Sequence, residues 1–293
     1  MRRSFRLGPA FVLILAIVVV AAGAWIAVLI KPDLFGDPEL RAIARHRSGN
    51  LARASLNLPL EGTPDLAQLD ARLAANGVVP GAPVLIRIFK REFELELWMA
   101  RDGQYHRFAT YPVCRWSGAL GPKLVTGDRQ APEGFYTVAS DQMNPNSRWH
   151  RSFNLGFPNA FDAALGRTGS ALMVHGGCSS AGCYAMTNAV IDEIWRLTTA
   201  ALTSGKQKRF QVQVFPFRIS EETLAAHETS PHIGFWRQLK RGSDLFESTG
   251  LPPEVEVCQG QYTFSPGHTT EGPATLISAC SPRLSGVRAK KAL

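Results

Sequence analysis

Between Leu7 and Ile30 the chain carries no charged residue, and only Gly8, Pro9 and Gly23 interrupt its apolar character. About 20 such residues let a helix cross a bilayer, where each backbone polar group must be satisfied inside the segment. Arg2, Arg3 and Arg6 precede the run, and basic flanks stay on the cytoplasmic side. The run exceeds the core of an ordinary signal peptide. The expectation is a single-pass inner-membrane anchor over residues 1–30, with the chain from Lys31 onward in the periplasm. Small residues at Ala21 to Ala24 keep open the alternative of cleavage to a free periplasmic protein.

The 293-residue chain has 45% hydrophobic and 19% charged residues, ordinary values for a folded protein with one sizeable core. Its net charge of +8 is spread out. No long basic run or basic-aromatic interleaving points to nucleic acid. The five cysteines are an odd number for an oxidising compartment, so one thiol is left over as a candidate nucleophile. With Cys183 free, the other four allow three pairings. Cys258 and Cys280 lie together in the tail and are expected to pair. Cys114 and Cys178 are either a second pair or buried free thiols.

Four zones follow. Residues 1–30 are the basic tip and anchor. Residues 31–82 read as a linker with two short helices. One runs from Asp37 to about His46; the other runs from Thr63 as N-cap to Asn76, with Gly77 as its stop. A spacer role is the simplest reading of this zone. Residues 83–218 carry strand signals. Val84, Ile86 and Ile88 alternate with Leu85, Arg87 and Phe89, and Phe93, Leu95 and Leu97 alternate with Glu94, Glu96 and Trp98. Lys90 and Arg91 make the turn between them. Further strands are expected over 107–116, 134–138, 171–175 and 210–215, and a helix over about 187–204 ended by Gly205. A long glycine- and proline-rich loop joins Ser117 to Glu133; a loop of this length is functional or disordered. Residues 219–293 form a C-terminal extension with two helical segments and the expected disulfide. The fold class is mostly β, of the α+β kind.

The chemistry concentrates between Met173 and Met186. His175 ends an apolar strand, where a ring can be aimed rigidly. Cys183 follows Gly182 in a turn just before a helix. A thiol needs a base or a positive charge to become a nucleophile near neutrality. His175 can supply the base, and Gly182 lets the turn bring backbone N–H groups toward a developing oxyanion. The positive end of the helix favours a thiolate. Cys183 is therefore the nucleophile, His175 the proton donor and acceptor, and Gly182 the turn residue. A zinc site of Cys178, Cys183 and His175 lacks a fourth ligand at convincing spacing. Lys123, Arg115 and Arg129 can hold a substrate carboxylate or be solvated loop charges. His150 reads as a surface histidine and Trp195 as core.

His175-Gly176 followed by Ser180-Ala181-Gly182-Cys183 resembles the signature of YkuD-type L,D-transpeptidase catalytic domains. In that family a His-Gly pair precedes a Ser/Thr-His-Gly-Cys segment. Ala181 stands where many relatives carry histidine, and Cys178 lies beside the glycines, which is closer to the YafK-like branch. Gly118 to Lys123, Pro132 to Tyr136, Asn144 to Ser147 and Asn154 to Asp162 agree in order and spacing. The resemblance covers about residues 83–217 and leaves His175 as the single histidine of the motif, oriented by a backbone carbonyl.

The resemblance implies an L,D-transpeptidase-like β-sandwich that acts on peptidoglycan stem peptides. Cys183 attacks the L-centre carbonyl of a diaminoacid and forms a thioester. Ser180, Gly176, Lys123 and Arg115 are the substrate-binding candidates. An acceptor amine gives a crosslink or attachment of an outer-membrane lipoprotein; water gives hydrolysis. No metal or organic cofactor is required. The alternatives are a hydrolase of the same linkage and a wall-binding module without turnover.

Overall fold

The computed structural model describes residues 37–268 and 277–278. The apolar run 7–30 and Cys280 lie outside the described residues. Among the described residues, no helix is long and apolar enough to cross a membrane. The chain forms two compact units, residues 1–48 and 49–293. The described part of the first, residues 37–48, is helical almost throughout and belongs to α1 (Pro38–Ser55), which is longer than the short helix expected.

The second unit is mixed α and β. A five-stranded sheet has the order β3-β2-β1-β9-β4, with β1 Val84–Phe89, β2 Glu94–Arg101, β3 Gln104–Pro112, β4 Gly134–Ala139 and β9 Arg209–Phe215. β1 and β9 run parallel; the other neighbours are antiparallel. A four-stranded sheet joins β5 Met143–Ser147, β6 His150–Asn154, β7 Met173–His175 and β8 Tyr184–Ala185. Phe153 of β6 meets Phe210 of β9 edge-on at 5.5 Å, which ties the two sheets through their apolar faces. A third sheet has the order β11-β10-β12, with β10 Glu254–Cys258, β11 Gln261–Ser265 and β12 Ile277–Ser278.

Three further helices precede the C-terminal segment. α2 (Leu69–Ala75) follows a 3-10 turn at Leu66–Gln68. The cap of that turn is Asp65, whose carboxylate accepts from Ala67 N at 3.1 Å, and not the expected Thr63. Asp65 wins because its side chain reaches an N–H two residues on, a common turn bond for aspartate. α3 (Ala160–Ala164) is a single short turn capped by Asn159. α4 (Asn188–Thr203) matches its sequence signal, with Thr187 capping Val190 N.

The residues from Asn50 to Ala75 do more than space the domain. Asn50 donates to Val113 O and Cys114 O, Leu60 is buried against Cys114 and Cys178, and Arg72 pairs with Glu193 of α4. The C-terminal segment completes the same core. α5 (Glu221–Ala225) and α6 (Ile233–Thr249) supply Leu224, Trp236 and Leu239 to a cluster with Phe89, Phe135 and Phe215 of the large sheet and Val255, Val257 and Tyr262 of the small one.

Polar residues of the strands are buried in the same core and paired. Glu96 is 1% exposed and is held by Trp98 Nε1, Arg107 and Arg218. Arg87 is buried and bonds Ser243 and Glu247 of α6. Lys90, in the β1–β2 turn, is fully buried. Its ammonium donates to Gly121 O at 3.0 Å, Ala131 O at 3.1 Å and Glu133 at 2.9 Å. Buried charges persist only when paired and fully hydrogen-bonded. Glu133 completes the set by accepting from Gly121 N at 2.7 Å and from Trp236 Nε1 at 2.8 Å.

The loop from Ser117 to Glu133 is thus fixed by polar side chains rather than by a ladder. Gln130 bonds Ala119 N, Ala119 O and Gly121 O; Asp128 accepts from Leu124 N, Val125 N and Gln130 N. Gly121, at φ 119°, packs under the His232 ring so closely that a Cβ would lie 2.5 Å from it.

Candidate active site

The strand β7 and the short β8 bring the two catalytic candidates to one face. β7 and β8 are parallel, with Val174 opposite Tyr184 and His175 opposite Ala185. Side chains alternate along a strand, so His175, Met173 and the register position of Cys183 share the face opposite Val174 and Tyr184. The Met173 N–H donates to Cys183 Sγ at 3.4 Å, which fixes the thiol against β7. Among the described residues Cys183 is the free cysteine, and it is partly exposed. Its S–H in turn reaches Ala171 O at 3.7 Å.

His175 is 2% exposed. Its Nδ1 lies 2.6 Å from Gly176 O. A carbonyl only accepts, so Nδ1 carries the hydrogen and Nε2 is the basic nitrogen. Gly176 O is the orienting carbonyl that the sequence leaves unidentified. Burial pushes the His175 pKa below its ordinary value, and the bond to Gly176 O works weakly the other way. Burial also pushes the Cys183 thiol up, while the Met173 N–H and the positive charge of Lys123 pull it back. The resting pair is therefore a neutral thiol beside a neutral imidazole. That state suits proton transfer in step with attack. Replacing His175 with Gln is expected to slow acylation of Cys183 by roughly 10²-fold or more. Because burial lowers the His175 pKa, the base form persists as pH falls, and the acid limb of the wild-type rate should lie below the ordinary histidine value. A loss under about tenfold at every pH, well short of a general base's usual contribution, would move that role elsewhere.

The turn before Cys183 is held by Ser180. Its hydroxyl donates to Cys183 O at 2.7 Å, accepts from Gly182 N at 3.2 Å and lies 3.1 Å from Ser117 Oγ. The Gly182 N–H is therefore committed to Ser180 in this state. Gly182 adopts φ 144°, and a Cβ there would press on Leu172 at 3.2 Å. Gly176 has no room for a side chain either, since its Cβ would lie 2.6 Å from Asn188 Oδ1. That oxygen accepts from Gly177 N at 2.8 Å, so the N-terminus of α4 adjoins the segment that orients His175.

Lys123 is buried with its ammonium on Asp128 and Val125 O, close enough to Cys183 to act on it electrostatically. Arg115 is half-buried, and its backbone pairs with Ala185 in both directions, at 3.0 and 2.7 Å. Lys123 thus lies near Cys183 but is already paired with a carboxylate, and Arg115 is placed by its backbone beside Ala185, two residues from Cys183. Arg129 is exposed on the loop. His150 is exposed and bonded to Asp192, and Trp195 is buried on α4.

Cys178 is bonded to Cys114, with Cα atoms 5.2 Å apart. The disulfide removes one thiolate from the Cys178–Cys183–His175 set weighed for zinc. It also links the end of β3 to the segment after His175. A closed loop of this separation contributes about 4 kcal/mol in the chain-entropy account. Cys258 is also disulfide-bonded.

One residue at the site was not foreseen as a site residue. Trp149, in the turn between β5 and β6, lies 6.1 Å from the His175 ring, touches Gly177 and is 41% exposed. A large aromatic side chain immediately before a strand is the signal the sequence held for it.

The model of the family described as "YkuD: L,D-transpeptidase catalytic domain" matches residues 84–214. The chain is 48% identical over 185 residues to the Escherichia coli K12 protein named "Putative L,D-transpeptidase YafK", covering 63% of this chain and 75% of that one. The O157:H7 protein of the same name gives the same figures. Among solved structures it is similar to the helical cell shape determining protein Pgp2 of Campylobacter jejuni, at 19% identity and TM-score 0.38 over 64% of this chain and 69% of that one. It is also similar to Bd1075 of Bdellovibrio bacteriovorus, at 18% identity and TM-score 0.34 over 58% and 67%. His175, Gly182 and Cys183 all fall inside the matched span, and the chain belongs to the YkuD family of L,D-transpeptidase catalytic domains.

Proposed function

We propose that the chain is a cysteine acyltransferase acting on peptidoglycan stem peptides through a thioester on Cys183. Membership of the family supports a peptidoglycan-related enzyme. The observation that carries the chemistry is His175 with Nδ1–H held by Gly176 O, on the same sheet face as the free thiol of Cys183. Nε2 takes the thiol proton as sulfur attacks the L-centre carbonyl of the diaminoacid. The C–N bond to the leaving residue breaks, and the imidazolium returns the proton to the departing amine. A second amine then attacks the thioester carbonyl and His175 accepts its proton; the C–S bond breaks and the proton passes to the Cys183 sulfur, giving a crosslink or a lipoprotein attachment. Water in place of the amine gives hydrolysis by the same intermediate.

The experiment is mass spectrometry of purified muropeptides incubated with the purified chain. The expected result is an acyl adduct on Cys183 and a new joined product. A shortened donor without a joined product would assign hydrolysis. Folded protein that leaves every muropeptide unchanged would sink the acyl-transfer reading.

The apolar run at 7–30 is proposed to anchor the chain in the inner membrane with the catalytic unit in the periplasm. A reporter that works only in the periplasm should be active when fused after Leu293; silence there would overturn this placement.

A further inference from the structure

β5 and β6 form a hairpin in which Ser147 pairs with His150, so Arg148 and Trp149 are its two-residue tip. Such tips favour Gly, Asn and Asp, which accept positive φ or bond their own backbone. Here the left-handed position falls on His150, at φ 70°, and the tip carries a tryptophan. The Trp149 N–H donates to Ser147 Oγ at 3.2 Å. His150 Nε2 and Arg151 Nε lie 2.8 and 2.7 Å from Asp192 Oδ1, which ties the hairpin to α4. A large aromatic side chain is thus held firmly where turn chemistry does not call for one. Residues that break a local preference are expected at functional sites.

The contacts of the indole show what it is placed against. Its ring lies 6.1 Å from the His175 ring, with 31° between the planes. It packs on Gly177 so closely that a Cβ there would lie 3.1 Å from its Cε3. Trp149 is 41% exposed, whereas His175 is 2% exposed. The indole is therefore part of the boundary between the imidazole and water. On the other side of His175 the paired strand residue, Ser152 of β6, is fully buried. Water that reached the ring would solvate the imidazolium and favour it. A ring kept dry stays neutral to lower pH, in keeping with the lowered pKa that burial gives His175. It is then ready to take the thiol proton.

We propose that Trp149 is a positioning residue whose indole seals the His175 ring from water. This rests on the proposed role of His175 as the acid-base group. Trp149 exchanges no proton and acts only through the ring that does. The charged and titratable groups around that ring are few. Cys183 has Lys123 acting on it; His150 and Arg151 of β6 are both held by Asp192 of α4; Arg148 lies over the Trp149 ring at 5.2 Å. All of them remain when Trp149 is replaced. Arg148 alone loses its ring. Brought nearer to His175 it would lower the pKa, against the direction expected below, and about 1 M salt screens it.

The test is hydrogen–deuterium exchange at Cε1 of His175 in the full chain, followed against pH by mass spectrometry. Trypsin releases residues 168–196, in which His175 is the sole histidine. In Trp149→Ala the exchange midpoint should rise by about half a pH unit or more, within the spread of about one unit that histidines show in folded proteins. Trp149→Phe, which keeps an aromatic ring beside His175, should stay near wild type. Trp149 is partly exposed in a turn, so both variants should melt near wild type. A raised pKa means that the base form is lost sooner as pH falls. On the acid limb a half-unit rise should lower muropeptide conversion by Trp149→Ala about threefold relative to wild type, and the loss should fade at alkaline pH. An unchanged or lowered midpoint in Trp149→Ala would overturn the proposal. So would an equal rise in Trp149→Phe, which would trace the shift to the turn and not to the ring beside His175. If the midpoint rises as expected but neither protein converts muropeptides, the failure belongs to the acyl-transfer reading and not to Trp149.

Discussion

Replacing Cys183 with Ala is expected to bring muropeptide conversion to background, a loss on the order of 10⁶-fold, the scale measured when a nucleophile is removed from a comparable triad. The fold should persist. The side chain is partly exposed, and its contacts are two weak sulfur bonds, to Met173 N and Ala171 O. Mass spectrometry of the products and a thermal melt on one preparation check both halves. Conversion above about a tenth of wild type would be far more than a missing nucleophile allows and would remove Cys183 from that role.

The second large effect is on stability. Glu133→Ala strips the acceptor from three buried donors at once: Lys90 Nζ, Gly121 N and Trp236 Nε1. Breaking a buried ion pair by deleting one partner costs about 3–5 kcal/mol, because the remaining charge is stranded. For a unit of this size each kcal/mol moves the midpoint by about 2–4 °C, so calorimetry should show a fall of roughly 10 °C. Glu133→Gln, which keeps the shape and loses the charge, should fall less. Pairing Glu133→Ala with Lys90→Met should recover part of the loss, since it removes the stranded ammonium but leaves two N–H groups unbonded. A midpoint within about 2 °C of wild type for Glu133→Ala would mean that the network contributes far less than its burial implies.

The two predictions fall on opposite sides of what the sequence makes legible. His175 and Cys183 stand out in the sequence because their pattern is local: a strand end, a glycine turn and a helix cap within one short stretch. β1 and β9 could be read because alternation is local too. Lys90 and Glu133 could not. A lysine in a turn and a glutamate in a loop look like solvated charges until the chain folds α6 over them. Glu96, Arg87 and Gln211 are buried too, and their partners Arg218, Ser243 and Pro253 lie far along the chain. The bond between Cys114 and Cys178 was one of several pairings that spacing allows, and only the fold chooses among them. The cap at Asp65 was missed by a small margin, because Thr63-Pro64 is as good a helix start as Asp65 when only neighbours are seen.

The hydrogen bond between Glu133 and Trp236 joins residues 103 positions apart, and that between Arg87 and Ser243 joins residues 156 apart. A ribosome makes a chain in one direction and a few residues each second. His175 and Cys183 therefore emerge well before the tryptophan that settles the loop beside them. Until then Glu133 lacks the bond from Trp236 Nε1 that completes its set. Catalytic form arrives at the close of the protein's own synthesis. A chain halted after β9 would carry His175 and Cys183, with Glu133 still lacking its bond from Trp236 and Arg87 its bond to Ser243.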